Sequence, residues 1–285
     1  MSIGNPQKKL SARFSPSHTA LYCTFSAPFK SKDAYNPASN LYTNVVGYSQ
    51  YELTKANQFV TTSFKNVGSD TLDLTQIKVI GYTGATTDKV SVQFIDGTGN
   101  TDTDEAGKYK LYYWRDADGS SGKWVKKDGR NIVDVAVGEA TLGVGEALWW
   151  QKKEDGLSLQ FSGEVIQSET SVLLPLANQA VGNMMAVSVD LKDIKVSGYT
   201  GATSDKVSVQ IIDGTGNTDK DEAGKYKLYY WRDADGASGK WVKKDGRNII
   251  DVVSGEVMLN PGDGLWVQNK ETSTAYKLVF SAPSL

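Results

Sequence analysis

Two loops of the same design carry the side chains best suited to hold a metal ion. Each places carboxylate and amide oxygens at closely spaced, mostly alternate positions, and oxygen ligands of this kind suit a hard cation such as calcium. The residues are Asp96, Asn100, Asp102, Asp104 and Glu105 in the first loop, and Asp213, Asn217, Asp219, Asp221 and Glu222 in the second. The loops therefore predict weak calcium sites, or acidic connections that stay solvated and protect sheet edges.

The first loop departs from an EF-hand, because Thr101 stands at the glycine position and Gly107 at the position of the last glutamate. Nucleophilic catalysis is not predicted either, since it needs a proton carrier beside a serine or cysteine. The chain has one histidine, His18, and one cysteine, Cys23, and both precede the repeated region. They are also too few for a zinc or haem site. The sequence predicts a protein that is not an enzyme.

Both acidic loops belong to a stretch that is written twice. Residues 77–142 recur as residues 194–259 at a constant offset of 117, with ten differences between the copies. A duplication of this kind indicates a repeated module rather than one large active site. The net charge is −2, with basic and acidic residues interspersed, so a nucleic-acid partner is not expected. No run of about 20 apolar residues occurs, so membrane insertion is not expected.

The elements that carry these loops have the pattern of strands. Val90, Val92 and Phe94 alternate with polar neighbours, and strand-like runs recur at short intervals between turn signals such as the Asp-Gly pairs at 128–129 and 155–156. This spacing predicts an all-β protein of two tandem antiparallel β-sandwich or jelly-roll-like repeats.

The predicted domains are an extended arm at 1–44, a first repeat at 45–165 and a second repeat at 166–285. We expect each repeat to fold by itself, because each carries its own alternating core positions. The opening strand of the second repeat is predicted at 183–189. Aligning it with residues 58–64 requires a deletion equivalent to the eight residues 65–72.

The strand predicted at 108–115 is rich in aromatic residues. If its leucine face is the core, Tyr112 and Trp114 lie on an outer face, as do their copies Tyr229 and Trp231. Exposed aromatic rings of this kind could stack on sugars or on another subunit. The alternative is that a second sheet covers this face.

The arm contains a segment that resembles the end of the second repeat. Residues 19–28 read TALYCTFSAP and residues 274–283 read TAYKLVFSAP, with six of ten positions identical. The arm therefore carries a spare copy of a closing strand, with Thr19, Leu21, Cys23, Phe25 and Pro28 as its marked positions. An exposed sheet edge accepts such a strand through main-chain pairing. The strand could complete its own repeat or insert into a neighbouring copy, and the second arrangement is favoured.

Short phrases in the repeats resemble a poorly characterised family of secreted bacterial β-proteins. They are Val-Gly-Tyr at 46–48, Asn-Met-Met at 183–185, Gly-Tyr-Thr at 198–200, Tyr-Tyr-Trp at 229–231 and Gly-Leu-Trp-Val at 264–267. The resemblance covers the chain from Val45 onward and implies a location outside the cell. It supplies no catalytic residues.

Three functions fit these observations. The first is a structural protein whose copies assemble by strand donation into an extracellular filament, a surface layer or a shell. The second is a pair of carbohydrate-binding modules that present Tyr112, Trp114 and their copies. The third is a phage or virion surface protein, which would agree with the lack of a clear signal sequence.

Overall fold

The computed structural model describes most of the two repeats and two residues of the arm. The described residues are 22–23, 46–87, 89–94, 109–117, 122–166, 168–174, 178–199, 206–212, 226–233, 239–245, 247–271 and 276–281. Their regular elements are antiparallel strands and two single-turn 3₁₀ helices, and none of the sheets closes into a barrel. The predicted all-β fold of tandem sandwiches is confirmed.

The first module is built from two main sheets. Its strands are β1 (Tyr22–Cys23), β2 (Val46–Glu52), β3 (Asn57–Val60), β4 (Phe64–Lys65), β5 (Thr71–Asp73), β6 (Lys78–Ile80), β7 (Val90–Phe94), β8 (Lys110–Arg115), β9 (Lys123–Asp128), β10 (Asn131–Asp134), β11 (Thr141–Gly143), β12 (Leu148–Lys152) and β13 (Ser158–Val165). One sheet has the order β1-β2-β13-β4, with β6 also paired to β13, and the other has the order β10-β9-β8-β7-β12-β3. Strands β5 and β11 form a separate pair, and a 3₁₀ helix spans Leu74–Gln76.

The second module repeats this plan. Its strands are β14 (Thr170–Leu174), β15 (Asn178–Gly182), β16 (Val189–Asp190), β17 (Lys195–Ser197), β18 (Val207–Ile212), β19 (Tyr226–Arg232), β20 (Lys240–Asp245), β21 (Asn248–Asp251), β22 (Met258–Leu259), β23 (Gly264–Asn269) and β24 (Tyr276–Phe280). The main sheets have the orders β14-β24-β17 and β15-β23-β18-β19-β20-β21, and β16 pairs with β22. A 3₁₀ helix spans Leu191–Asp193.

Each module has its own apolar core. The buried residues of one core lie between Leu53 and Val165, and those of the other between Ile166 and Phe280. Each core contains an equivalent tryptophan, whose indole N–H donates a hydrogen bond to a backbone carbonyl across the sandwich. Trp124 donates to Ile77 O and Trp241 to Ile194 O, both at 2.7 Å. The cores therefore divide the chain near residue 166, whereas independent folding of the modules stays a prediction.

The predicted opening strand of the second repeat is wrong in its position. The strand is β15, at 178–182, and most of residues 183–189 lies outside strands. Cross-strand pairing fixes the alignment: Val60 faces Leu148 and Val181 faces the equivalent Leu265. Twelve positions separate Val60 from Leu72, and eight separate Val181 from its counterpart Val189. The second copy is therefore shorter here by four residues rather than eight.

The aromatic residues of β8 and β19 point into the cores, so their predicted exposure is also wrong. Tyr112, Trp114, Tyr229 and Trp231 are each at most 4 % exposed. A second sheet does cover this face, because Tyr112 and Trp114 share a core cluster with Leu159 and Phe161 of β13. Within its own sheet, Trp114 packs edge-on against Trp124 at 5.3 Å. The wide rings fill the space between the sheets, whereas the leucine face turns outward. There the Lys127 ammonium lies 5.3 Å from the centre of the Tyr113 ring.

Candidate functional site

Most of the predicted site residues fall outside the described part of the chain. The acidic loop residues at 96–105 and 213–222 are among them, so calcium binding there stays a prediction. Within the described residues, no three His, Cys, Asp or Glu side chains form a group that could hold a metal ion. Of the predicted assembly strand, only the backbone of Tyr22–Cys23 is described, and the other marked positions at 19, 21, 25 and 28 lie outside it.

The two arm residues form a strand against an edge of the first module. Tyr22 faces Tyr48 and Cys23 faces Gly47 in an antiparallel pair, which places β1 beside β2. On its other side β2 pairs with β13 along its whole length. The arm segment therefore pairs within its own chain here, one of the two arrangements that the sequence predicts. Pairing between chains stays a prediction.

The equivalent edge of the second module is β14. It pairs with β24 on one side, and no described strand lies on its other side. Val172 and Leu174 point into the core, whereas Ser171 and Leu173 are exposed, Leu173 by 47 %. Leu173 O accepts a hydrogen bond of 2.9 Å from Gln179 Nε2, a side chain rather than a strand. The outer edge of β14 thus has the unpaired geometry to which strands add.

The contact between the two modules is made by equivalent residues of each module. Thr61 N donates to Gly262 O at 2.9 Å, and Gly182 N donates to Gly145 O at 3.0 Å. Gly182 is the counterpart of Thr61, as Gly262 is of Gly145. The bridges Val60–Asp263 and Glu146–Val181 repeat the same exchange. Each module thus contributes an equivalent donor residue and an equivalent acceptor residue, which is the pattern of an isologous interface. The modules are therefore related by an approximate two-fold axis, as in a symmetric dimer.

Thr61 and Gly182 lie at this pseudo-two-fold axis, because they are equivalent residues that contact each other. A Cβ atom on Gly182 would lie 2.4 Å from Cγ2 and 2.5 Å from Cβ of Thr61, and 2.9 Å from Asp263 O. Real Cβ atoms do not approach so closely. Only one of the two copies can therefore carry a side chain at this place.

A partly buried hydrogen bond occurs on one side of the junction only. Tyr51 Oη donates to Asp263 Oδ1 at 2.8 Å. Burial raises the pKa of Tyr51 well above its ordinary value, and the nearby Asp263 carboxylate adds to the increase. On the other side, a Cβ on Gly145 would meet Val172 Cγ2 and Met184 Cε at 2.2 and 2.6 Å. The same contact is polar in one half and apolar in the other.

An aromatic cluster lies where the six-stranded sheets of the two modules approach each other. Phe59 packs edge-on against Trp149 at 4.7 Å between ring centroids and stacks on Trp266 at 5.7 Å, with 18° between the planes. Ala147 and Ala180 complete the cluster. Both tryptophans are partly exposed, whereas Phe59 is buried. They are equivalent residues, so the junction brings two copies of one indole to a single place.

Sequence reasoning missed this pair, although a signal was present. Trp149 and Trp266 are separated by the repeat offset of 117, and each follows a leucine in a run of alternating burial. The alternation places them opposite the core residues Trp150 and Val267. Their proximity depends on the two-fold arrangement of the modules, which the spacing of residues along the chain does not reveal.

No family model, curated protein or solved structure matches this chain. The resemblance of its short phrases to secreted β-proteins therefore stays an expectation. In the parts of the chain that the structure describes, no helix is long and apolar enough to cross a membrane.

Proposed function

We propose that this protein is a non-enzymatic structural subunit that assembles outside the cell, and that its arm strand pairs with the open edge of β14 in a neighbouring copy. The carrying observation is the contrast between two equivalent edges. Strand β2 has a partner on each side, whereas the described part of the second module gives β14 only one. Each chain thus has one arm strand and two edges of the same type.

The sequence of the arm supports β14 as its acceptor. Residues 19–28 repeat the sequence around β24, and β24 is the strand that pairs with β14, from Thr170 opposite Phe280 to Leu174 opposite Tyr276. A second strand with this pattern would present similar side chains to the other edge of β14. The pairing of Tyr22–Cys23 with β2 places the segment in a strand at an edge of this type. In the proposed assembly the arm strand leaves β2 of its own chain and pairs with β14 of a neighbouring copy.

Reach and symmetry favour a chain of subunits. Between this segment and the first module, residues 28–44 can span at most about 55 Å when extended. Donation from the first module of one copy to the second module of the next is a head-to-tail contact. Such contacts produce a filament when the rotation between copies does not close into a ring. A surface layer or a shell could be built from the same contact.

Tyr112 and Trp114 cannot carry the predicted carbohydrate binding, because their rings are buried in the core. A virion surface protein would use the same assembly contact.

The first test removes residues 1–30. We expect wild-type protein to sediment as large species and the truncated protein to sediment as folded monomers with the same β-sheet circular dichroism. Negative-stain microscopy of both samples would identify the form of the assembly. If the truncated protein still forms the same large species, strand donation is not the mechanism.

A sharper test blocks the acceptor edge alone. Leu173 O points away from β24, because it accepts from Gln179, and the backbone of Ser171 two residues earlier points the same way. Ser171→Pro removes an outward N–H, and proline is tolerated on edge strands when that N–H is unpaired. Assembly should be lost and the fold kept. The matched control is Gln50→Pro at the equivalent position of β2, and loss of assembly in this control alone would contradict β14 as the acceptor.

A further inference from the structure

The outer surface of each six-stranded sheet carries the same polar and aromatic residues on both sides of the junction. In the first module, Trp149 faces Gln93 and Phe59, and Gln151 faces Ser91 and Asn57. In the second module the same positions hold Trp266, Gln268, Gln210, Ser208, Asn178 and Ala180, of which Gln210, Ser208 and Ala180 are buried. The sets differ only at Phe59, which has Ala180 as its counterpart. We call this surface the outer platform.

The polar groups of the outer platform are held in a row. Gln151 Nε2 donates to Asn57 Oδ1 at 3.0 Å, and Gln151 Oε1 accepts from Gln93 Nε2 at 3.2 Å. In the second module, Ser208 Oγ donates to Gln268 Oε1 at 3.3 Å. These side chains are amides and hydroxyls, which both donate and accept hydrogen bonds. A ligand with many hydroxyl groups matches such a row.

A depression of about 340 Å³ adjoins this row in the first module. It is lined by Ala56, Asn57, Lys89, Ser91, Gln151, Lys152 and Lys153. Two of its lysines are paired with carboxylates, Lys89 with Glu154 at 2.7 Å and Lys152 with Asp155 at 2.8 Å. Gln151 connects the depression to Trp149, which lies about 7 Å away on the same face of β12. The charge near the row is therefore largely balanced, which favours a neutral ligand over an anionic one.

We propose that the outer platform binds a neutral polysaccharide across the junction between the modules. The partly exposed indoles of Trp149 and Trp266 stack against sugar rings, since an indole offers a flat apolar surface with a polar edge. The partly exposed amides of the row, Asn57, Gln151, Asn178 and Gln268, bind the hydroxyl groups together with the depression. Phe59 packs against both indoles, so the two halves of the platform adjoin each other at the junction. An extended polymer fits such a surface better than a single sugar, and this binding does not depend on strand donation.

Affinity electrophoresis of the full chain tests the proposal. The gels contain hydroxyethyl cellulose, xylan or galactomannan as neutral polymers, and polygalacturonate as the acidic comparison. We expect at least one neutral polymer to retard the protein and polygalacturonate to have no effect. Trp149→Ala and Trp266→Ala should each weaken binding by roughly three- to tenfold, the equivalent of one aromatic contact. Trp266→Phe, which keeps an aromatic face, should retain part of the affinity.

Two further variants separate binding from folding. Gln268→Ala removes a hydroxyl-binding group without touching the aromatic cluster, and it should weaken binding while the melting temperature is kept. Ile249→Ala is the control, since Ile249 is 43 % exposed on β21, away from the platform. The proposal is overturned if no neutral polymer retards the protein, if only polygalacturonate does, or if both tryptophan variants bind as wild type. It is also overturned if Trp266→Ala abolishes self-association and leaves polymer binding unchanged, because the outer platform would then bind a second copy of this chain instead of a polysaccharide.

Discussion

The two modules have nearly the same sequence in their middle portions and differ where they meet. Between residues 77–142 and 194–259 the copies differ at ten positions of 66. At the junction, by contrast, Tyr51, Phe59 and Thr61 all have different residues as counterparts, namely Val172, Ala180 and Gly182. Residues close to a two-fold axis contact their own equivalents, so a large side chain in one copy excludes the same side chain in the other. At Thr61 and Gly182, which contact each other, the symmetry of the arrangement thus requires a difference in sequence.

The sheet edges differ for another reason. Strands β2 and β14 have equivalent positions, yet only β2 has an arm strand beside it in the described structure. The difference comes from what flanks each repeat, since one chain has one N-terminal arm. Duplication of a module therefore doubles the number of acceptor edges without doubling the donor, and in the proposed assembly the donor pairs with β14 of a neighbour instead of β2 of its own chain.

The largest loss of stability is expected from a variant in which both modules carry the same residue at the pseudo-two-fold axis. Gly182→Thr places a Cβ within 2.5 Å of two Thr61 carbons, and such overpacking costs about 1–3 kcal/mol or more. We expect a loss near the upper end of that range in the free energy of unfolding, measured by urea denaturation.

The exchanged double variant Thr61→Gly/Gly182→Thr is the control for this prediction. It removes the collision by moving the side chain to the other module, so part of the lost stability should return and the two substitutions should couple by roughly 1–3 kcal/mol. Recovery would be incomplete, because Thr61 Oγ1 also donates to Glu146 O. Simple additivity of the two substitutions would mean that Thr61 and Gly182 do not share the axis.

A smaller effect is expected from the polar half of the junction. Tyr51→Phe removes the hydrogen bond to Asp263 Oδ1 and should lower stability by about 1–2 kcal/mol at neutral pH. Because the pKa of Tyr51 is raised in the folded protein, the unfolded chain loses this proton first as the pH rises. The stabilisation is therefore present below about pH 10 and declines above it. Wild type should lose stability more steeply than Tyr51→Phe above that pH, and parallel curves would contradict the assignment.

The sequence predicted the fold well where the pattern was local. Alternation in residues such as Val90 and Val92 indicated strands, and the constant offset indicated equivalent modules. It failed for Tyr112 and Trp114, because alternation identifies two faces of a strand but not which face a second sheet covers. It also failed for the pair Trp149 and Trp266, which share a site only because a two-fold axis brings distant copies together. Such long-range placement depends on packing between modules, which has no local signature.

The smallest expected effect concerns an ion pair that has an additional hydrogen bond in the second module. In the first module Lys89 pairs with Glu154, and in the second Lys206 pairs with Glu271 at 2.6 Å. Tyr276 Oη also donates to Glu271 Oε2, whereas the counterpart of Tyr276 is Leu157, which has no hydroxyl. The hydrogen bond from Lys206, followed by that from Tyr276, lowers the pKa of Glu271 below its ordinary value of 4.5.

A lowered pKa in the folded state means that the stabilisation is present above the ordinary value and is lost as the pH falls below it. Glu271→Gln should therefore lower the melting temperature slightly at pH 7, and its effect should shrink as the pH falls below 4.5, because wild-type Glu271 then becomes protonated. Glu154→Gln is the matched control, and its effect at pH 7 should be smaller because no tyrosine hydroxyl reaches that carboxylate. Equal shifts from the two variants would show that Tyr276 adds nothing to the pair, and that the modules differ here in sequence but not in energy.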